Sequence, residues 1–448
     1  MSKIFVTVSI FVVLGAMLSS AGAVSSDTTY CKTAMSKDRM LDKFLRYVRV
    51  SSQSQYGSDP SAWAMTSGQI EMSKILEEDA RAAGASVYRS EDSYVYVDVP
   101  ANVGDDVPVL GISCHLDFTP EAPGDSIVPI VIRNYGGGDI LQGNDSKIYF
   151  DSPEGAALKD LISATIVHTD GTTLLGGDDK NGVTIAMCLI ETLMGNPEFK
   201  HGRVQFVFCP NEDIGMAAER IDKERFNPDI LYDLDGGGGV DIITENFTAR
   251  GLDVQFIGHY AHPGDAKAQK LGDALAAASA FIANIPVKYR PENTEGKEGY
   301  IHPWNMTSDG NDYTVSTRIR YFDKEEGEEF DRILRADLDS VGKNFPNVGV
   351  KIIQDKLQYE NVAYNMHTES RAIMERAASE AGVDVNFKSE RGGTTASMFT
   401  AKGLRGGMCI FTGQHAIHST KEYSVLEEMH DAYRLMLHAI ALTAELQE

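Results

Sequence analysis

The sequence is short of everything that staples or spans. Of 448 residues only five are cysteine, an odd number, and none stands in a CxxC pair. That spacing gives no disulfide framework and no thiolate zinc site. Four of the five lie in apolar stretches, so buried free thiols are the expected state. Positive charge is scarce as well: 41 Lys and Arg stand against 65 Asp and Glu, for a net charge of −24. A polyanion of this size repels nucleic acid and anionic membrane surfaces, which removes both from the expected partners. Past the N-terminus there is no apolar run long enough to cross a bilayer. Internal repeats and low-complexity tracts are missing too. What remains, 42% hydrophobic and 24% charged, is a soluble globular chain too long for one ordinary core, so two domains are expected.

The first residues follow a different rule. Lys3 precedes an apolar run from Ile4 to about Leu18, and Ala21-Gly22-Ala23 has the small-x-small form of a cleavage site. This pattern is the one expected of a secretory signal peptide, residues 1–23, cut near Ala23. The mature protein is expected to be secreted or periplasmic and free of the membrane. Asn144, Asn246 and Asn305 stand in N-x-S/T sequons.

Periodicity then places the elements. Met40–Val50 and Gln69–Ala83 read as helices, the second with Ser67 before it and Gly84 as its stop. Tyr94–Val99 alternates like a strand. Val107–Cys114, Ala164–His168, Val204–Cys209 and Ile230–Leu234 are apolar runs of buried-strand type. Between them Val183, Met187, Ile190 and Met194 mark one face of a helix from about Lys180 to Met194. Strands alternating with helices make an α/β domain with a mostly parallel central sheet. From Leu252 to Ile353 the order changes to strand, helix, strand, strand, helix, strand, with helices near Asp265–Asn284 and Glu325–Val341. That is a ferredoxin-like α+β unit. The first pattern resumes with a helix Ser370–Ala381, a strand near Met408–Phe411 and a closing helix Val425–Glu445. The smaller unit, residues 246–358, is therefore inserted between 24–245 and 359–448.

Acidic and histidine residues gather where strands end. Val107–Cys114 runs into His115 and Asp117, which point to one side of an extended chain; one can ligate a metal while the other fixes the imidazole tautomer. Gly176-Gly177-Asp178-Asp179-Lys180 is a turn entering a helix. Val204–Cys209 leads to Glu212 and Asp213, Ile230–Leu234 to Asp235 and the turn glycines Gly236–Gly239, and Phe411-Thr412-Gly413 to His415 and His418. Each group alone has a bland reading: a helix cap, a solvated turn, an incidental pair. Together they fall on one edge of one sheet, where open α/β sheets hold their ligands. Carboxylates packed there without a cation would repel one another. Histidine plus carboxylate, without thiolate, suits zinc, manganese or cobalt, and a carboxylate left unbound can serve as general base beside a metal-bound water.

The motifs SCHLDFTP, TDGTTLLGGDDKNG, CPNEDIG, LDGGG, ENFTA, HPGDAK, ERGGT and FTG resemble those of the zinc exopeptidases of the aminoacylase and carboxypeptidase type, and the tripeptide aminopeptidases among them. The resemblance runs over nearly the whole mature chain. It implies that 24–245 and 359–448 form the catalytic domain and that 246–358 is a lid or dimerisation domain, through which a homodimer would form. It implies two zinc ions per subunit, with cobalt or manganese as substitutes. His115 and Asp235 would hold one ion, Asp213 and His418 the other, and Asp178 would bridge them, with a cis bond to Asp179. Asp117 would stand behind His115 and Glu212 would be the general base. His262, Arg320 and Arg391 match substrate-contacting positions. The implied reaction is removal of the N-terminal residue from short peptides, tripeptides first, by a hydroxide shared between the ions. The pattern departs at Asp213, where the family has Glu, at Thr395 after RGGT, and at Lys421; His415 is an extra histidine that could replace His418. Alternatives on the same scaffold are a dipeptidase, a carboxypeptidase or an N-acyl amino acid hydrolase. A non-catalytic peptide-binding protein would have lost Glu212 or a ligand, and all are present.

Overall fold

A computed structural model describes residues 35–57, 63–104, 106–143 and 145–446; the leader, Cys31 and the Asn144 sequon lie outside them. The strands Val204–Cys209, Leu110–His115, Ile230–Gly237 and Gly407–His415 lie side by side in that order, all parallel. Every residue of the first two is buried, which is why both read as mainly apolar runs without alternation: sheets covered on both faces have no polar side. Beside these four, only Asp241–Asn246 and Asn386–Glu390 pair parallel among the described strands of this sheet. Val95–Val99 and Ser86–Arg89 extend one flank antiparallel, and Tyr423–Val425, Ile166–His168 and Ile130–Ile132 extend the other. With Asp241–Asn246 and Asn386–Glu390 the sheet reaches eleven strands.

The helix Gly177–Gly195 packs against this sheet and against the closing helix Leu426–Thr443. Its apolar face is wider than the expected stripe. Val183, Ile185, Ala186, Met187, Leu189 and Ile190 are all buried, as in a helix covered on all sides, while Met194 is only half-buried. Thr66, not Ser67, caps the helix Ser67–Ala82, accepting from the Gln69 N–H.

The second sheet has four antiparallel strands in the order Tyr300–Asp309, Asp312–Tyr321, Thr248–Ile257 and Gly349–Tyr359. The helices Ala274–Asn284 and Lys324–Asn344 complete the strand, helix, strand, strand, helix, strand order. Val254, Phe256, Phe281, Ile319, Phe330 and Leu334 form a core of its own. The first of these helices begins nine residues later than Asp265. Pro263-Gly264-Asp265 makes only a single tight turn, and the helix starts where the Asp273 carboxylate accepts the Ala276 N–H. Asn246 is buried and donates to the Phe247 carbonyl, so this sequon is an internal residue; Asn305 is exposed on its strand.

Candidate metal centre

Parallel strands deliver their C-terminal ends to one edge, and the acidic residues arrive there together. His115 ends the strand Leu110–His115, two positions before Asp117. The strand from Ile230 does not stop at Leu234 but carries Asp235 within it and runs on to Gly237. Gly236 is there because Gly407–His415 comes so close: a Cβ would fall 2.6 Å from the Ile410 carbonyl oxygen. The glycine run is thus partly a strand-packing device; among its members Gly239 takes the left-handed conformation, at φ +80°. Asp178 and Asp179 open the helix Gly177–Gly195 and are joined by a cis peptide.

The side chains converge. His115 Nε2 lies 3.0 Å from Asp178 Oδ1, 3.4 Å from Asp235 Oδ1 and 3.8 Å from Glu212 Oε2. His418 Nε2 lies 3.2 Å from Asp178 Oδ2 and 3.0 Å from Asp213 Oδ1. Asp178 therefore stands between two imidazoles, one oxygen toward each. Behind His115, Asp117 accepts the backbone N–H of Glu212 at 3.0 Å and of Asp213 at 3.3 Å, so it anchors the loop that carries both. His115 Nδ1 is 3.4 Å from Asp117 Oδ1 without making a hydrogen bond.

Charge balance tests whether a cation belongs here. Burial raises Glu212 well above the carboxylate range and lifts Asp213 to about 6 and Asp235 to about 8, with neighbouring carboxylates adding to each. Hydrogen bonds to Asp178 and Asp213 lift His418 to about 12. Burial opposes protonation of His115, but the Asp235 charge and the closeness of Asp117, Asp178 and Asp235 override it upward. Asp178 is buried too, yet its two histidines hold it below the usual range. A cluster that must import protons to survive burial is one that divalent ions would neutralise. Asp213 Oδ2 and His115 Nδ1 are buried with no hydrogen-bond partner, and the N/O donor set contains no thiolate. The residues fit a pair of divalent metal ions.

Two tight donor groupings stand out, His115–Asp178–Asp213 and His115–Asp179–Asp235. Asp179 is spent elsewhere: its oxygens accept the His115 N–H at 3.0 Å and the Gly182 N–H at 2.9 Å. That leaves Asp178 as the carboxylate free to bridge. His415 is not a donor to the site; it pairs with Glu428 at 2.7 Å and stacks on Tyr423.

A cavity of about 640 Å³ opens beside the cluster, lined by Asp178, Glu212, Asp213, Asp235 and His418 together with Tyr359. The three candidate substrate residues are not among its walls. His262 is exposed and caps its own turn, its Nδ1 accepting from the Gly264 N–H at 3.1 Å. Arg320 donates to the Ile319 carbonyl and lies over the ring of Tyr359, one side chain behind the cavity. Arg391 donates to the Gly296 and Glu298 carbonyls and to Thr294 Oγ1, stacked on Phe247. It straps a loop of the inserted unit to the strand Asn386–Glu390.

Residue patterns alone missed three buried groups. Lys180 is fully buried, over the Phe118 ring and bonded to Ser52; burial lowers its amine to about 8. Gln414 reaches the Asp235 carbonyl at 3.2 Å. Glu422 accepts three backbone N–H groups around Asp178, and burial lifts it to about 7. A lysine after two aspartates does hint at a counter-charge; nothing marks a glutamate in a polar loop.

The model of Peptidase family M20/M25/M40 matches residues 166–442. A Peptidase T of Halothermothrix orenii is 32% identical over 409 residues, 91% of this chain and 99% of that protein. Among solved structures, aminopeptidase PepT from Bacillus cereus superposes with a TM-score of 0.70 at 20% identity, covering 92% of this chain and 99% of the other. A dinuclear metal binding peptidase of the M20 family from Bacillus subtilis superposes at 0.59 with 12% identity, covering 91% and 98%. The two structures establish likeness of fold; the first relative establishes kinship.

Proposed function

The chain belongs to Peptidase family M20/M25/M40, and from that premise we propose that it releases the N-terminal residue of short peptides, tripeptides first, with a pair of zinc ions. It is a hydrolase of the exopeptidase kind, a metallo-aminopeptidase by its relatives. The observation that carries the finer reading is the convergence of His115, Asp178, Asp213, Asp235 and His418 on one buried point, with Glu212 alongside.

His115 and Asp235 would hold one ion, His418 and Asp213 the other, and Asp178 both. When bound, such a pair supplies an acidified water and a Lewis-acid grip on the scissile carbonyl. Glu212 has the position of a group that would take a proton from the attacking water and hand it to the departing amine. Asp117 keeps Glu212 and Asp213 in place through their backbone N–H groups. Arg320 and Arg391 are proposed to meet substrate only if their present hydrogen bonds are exchanged for a peptide carboxylate, which an arginine fork can hold bidentately. Export by a cleaved leader and a homodimer through the inserted unit belong to the same proposal.

The deciding experiment is a product profile on di-, tri- and tetrapeptides with each end blocked in turn. The expected result is release of the N-terminal residue from free tripeptides and no turnover of N-blocked ones. Release of the C-terminal residue, or turnover of N-acyl amino acids alone, would replace the aminopeptidase reading with one of its rivals.

A further inference from the structure

Glu422 does not face the cavity, yet it touches the chain on which the two-ion reading depends. It closes the loop that leaves the strand Gly407–His415 and returns as Tyr423–Val425. His418 sits at the tip of that loop in the left-handed conformation, φ +60°. Four residues later the Glu422 side chain is buried and spends both oxygens on one turn of another segment. Oε2 accepts the N–H groups of Leu175 and Gly176, each at 2.7 Å, and Oε1 accepts that of Asp178 at 3.0 Å.

The contact is tight. A Cβ on Gly177 would fall 2.4 Å from Ser424 Oγ and 3.2 Å from Glu422 Oε1, so only glycine lets the two segments meet. Ser424 Oγ bonds Asn181 Oδ1 at 2.9 Å on the same face. Asp178 is thereby held at both ends. Its N–H is fixed by Glu422, and its carboxylate lies between His115 and His418. The path from Asp178 N–H through Glu422, back along the loop to His418 and across to Asp178 Oδ2 is a closed ring. The other half of the site has no such need: His115 and Asp235 stand on adjacent parallel strands whose register is set by the sheet, Ser113 opposite Asp233.

We propose that Glu422 is a positioning residue that sets the spacing of Asp178 and His418, so that its carboxylate decides whether the chain holds its second divalent ion. This rests on the two-ion reading above. Only a carboxylate offers acceptors at both atoms. An amide of the same size turns a donor toward at least one of the three N–H groups, leaving a buried donor unpaired. The turn then has reason to shift, and Asp178 with it. Groups that orient metal ligands change affinity by roughly 10–100-fold when removed.

The test is zinc titration of the purified metal-free chain by calorimetry, with zinc content after dialysis as a second readout. Wild type should hold two ions. Glu422→Gln should hold the ion of His418 and Asp213 about 10–100-fold more weakly and the ion of His115 and Asp235, which shares only Asp178, with a smaller loss. Its kcat should fall, with KM little changed, and recover in excess zinc. Ser424→Ala disturbs the same buried neighbourhood without touching the Leu175–Asp178 amides. It should lower the melting temperature of the metal-free chain and keep both affinities. Glu422→Asp, which keeps the charge and retracts the oxygens by one methylene, serves if the amide variant does not fold, and should again weaken one ion more than the other. Two wild-type affinities in the Glu422 variants, or equal weakening in Ser424→Ala, would overturn the assignment. A wild-type chain that binds fewer than two ions would instead defeat the two-ion reading itself.

Discussion

Glu212 and Asp178 both face His115 Nε2 yet should fail differently when changed. Glu212 is 3.8 Å from His115 Nε2 and bridges nothing, whereas Asp178 faces both histidines. Glu212→Gln is expected to keep both metals and lose roughly 10²–10⁴-fold in kcat, the usual worth of a general base. Asp178→Ala should lose bound metal along with rate. Metal analysis beside steady-state kinetics separates the two, and near-normal turnover in Glu212→Gln would remove that residue from the mechanism. At this scale the sequence was readable where chemistry is concentrated. HxD after an apolar run, an acidic pair after glycines and NED after a strand name themselves by type and place. Glu422 does not, because a glutamate between lysine and tyrosine in a polar loop looks like a solvated turn until the fold buries it. His262 and Arg391 are the reverse case, a turn cap and a loop strap at positions that the resemblance offers to a substrate. Their residue types suit a peptide, but type alone does not tell a ligand contact from a turn cap or a loop strap.

Strands and helices were readable in proportion to how completely they are buried. Val204–Cys209 and Leu110–His115 announce themselves by mainly apolar runs without a polar face. The flanking strands Ile130–Ile132, Asn386–Glu390 and Tyr423–Val425 run three to five residues, too short for any period to show, and pair only because the sheet edge is already there. The glycine run at Gly236 suggests a turn, because close approach of two strands leaves no trace in a single sequence. It also supplies a test at this scale. Gly236→Ala puts a methyl 2.6 Å from the Ile410 carbonyl oxygen, and overpacking of this kind costs about 1–3 kcal/mol. The strands must part next to Asp235, so the variant should melt earlier and bind metal more weakly. A Gly236→Ala protein with unchanged melting temperature would mean that the sheet yields there at no cost.

Across the whole molecule the acidic site becomes a statement about pH. In the metal-free chain Asp235 titrates near 8 and His418 near 12, each above its ordinary value, so the folded state holds protons that the unfolded state gives up. For such groups stability is complete at low pH and drains away as pH rises through the folded value. Asp235 contributes this fall from about pH 4 to 8 and His418 from about 6.5 upward. Asp178 has the opposite sign, but its contribution is already complete above its ordinary value and changes only in acid. Burial lowers His168, His201, His302 and His430, which makes stability rise with pH, but only up to about 6.5. Lys180, lowered to about 8, begins to matter only above that. Between pH 6.5 and 8 the slope therefore has one sign: each extra proton held by the folded chain costs about 1.4 kcal/mol of stability per pH unit as pH rises. Divalent ions take the place of those protons, so the metal-loaded protein should lose the slope and gain stability from ligand binding itself. Melting curves at pH 6.5, 7.25 and 8, with chelator and with excess zinc, would read this directly. A falling melting temperature with chelator and a flat one with zinc is the expected pair, together with proton release when zinc is added at pH 7. Parallel curves under the two conditions, or no proton release, would mean that these carboxylates and histidines do not exchange protons for metal.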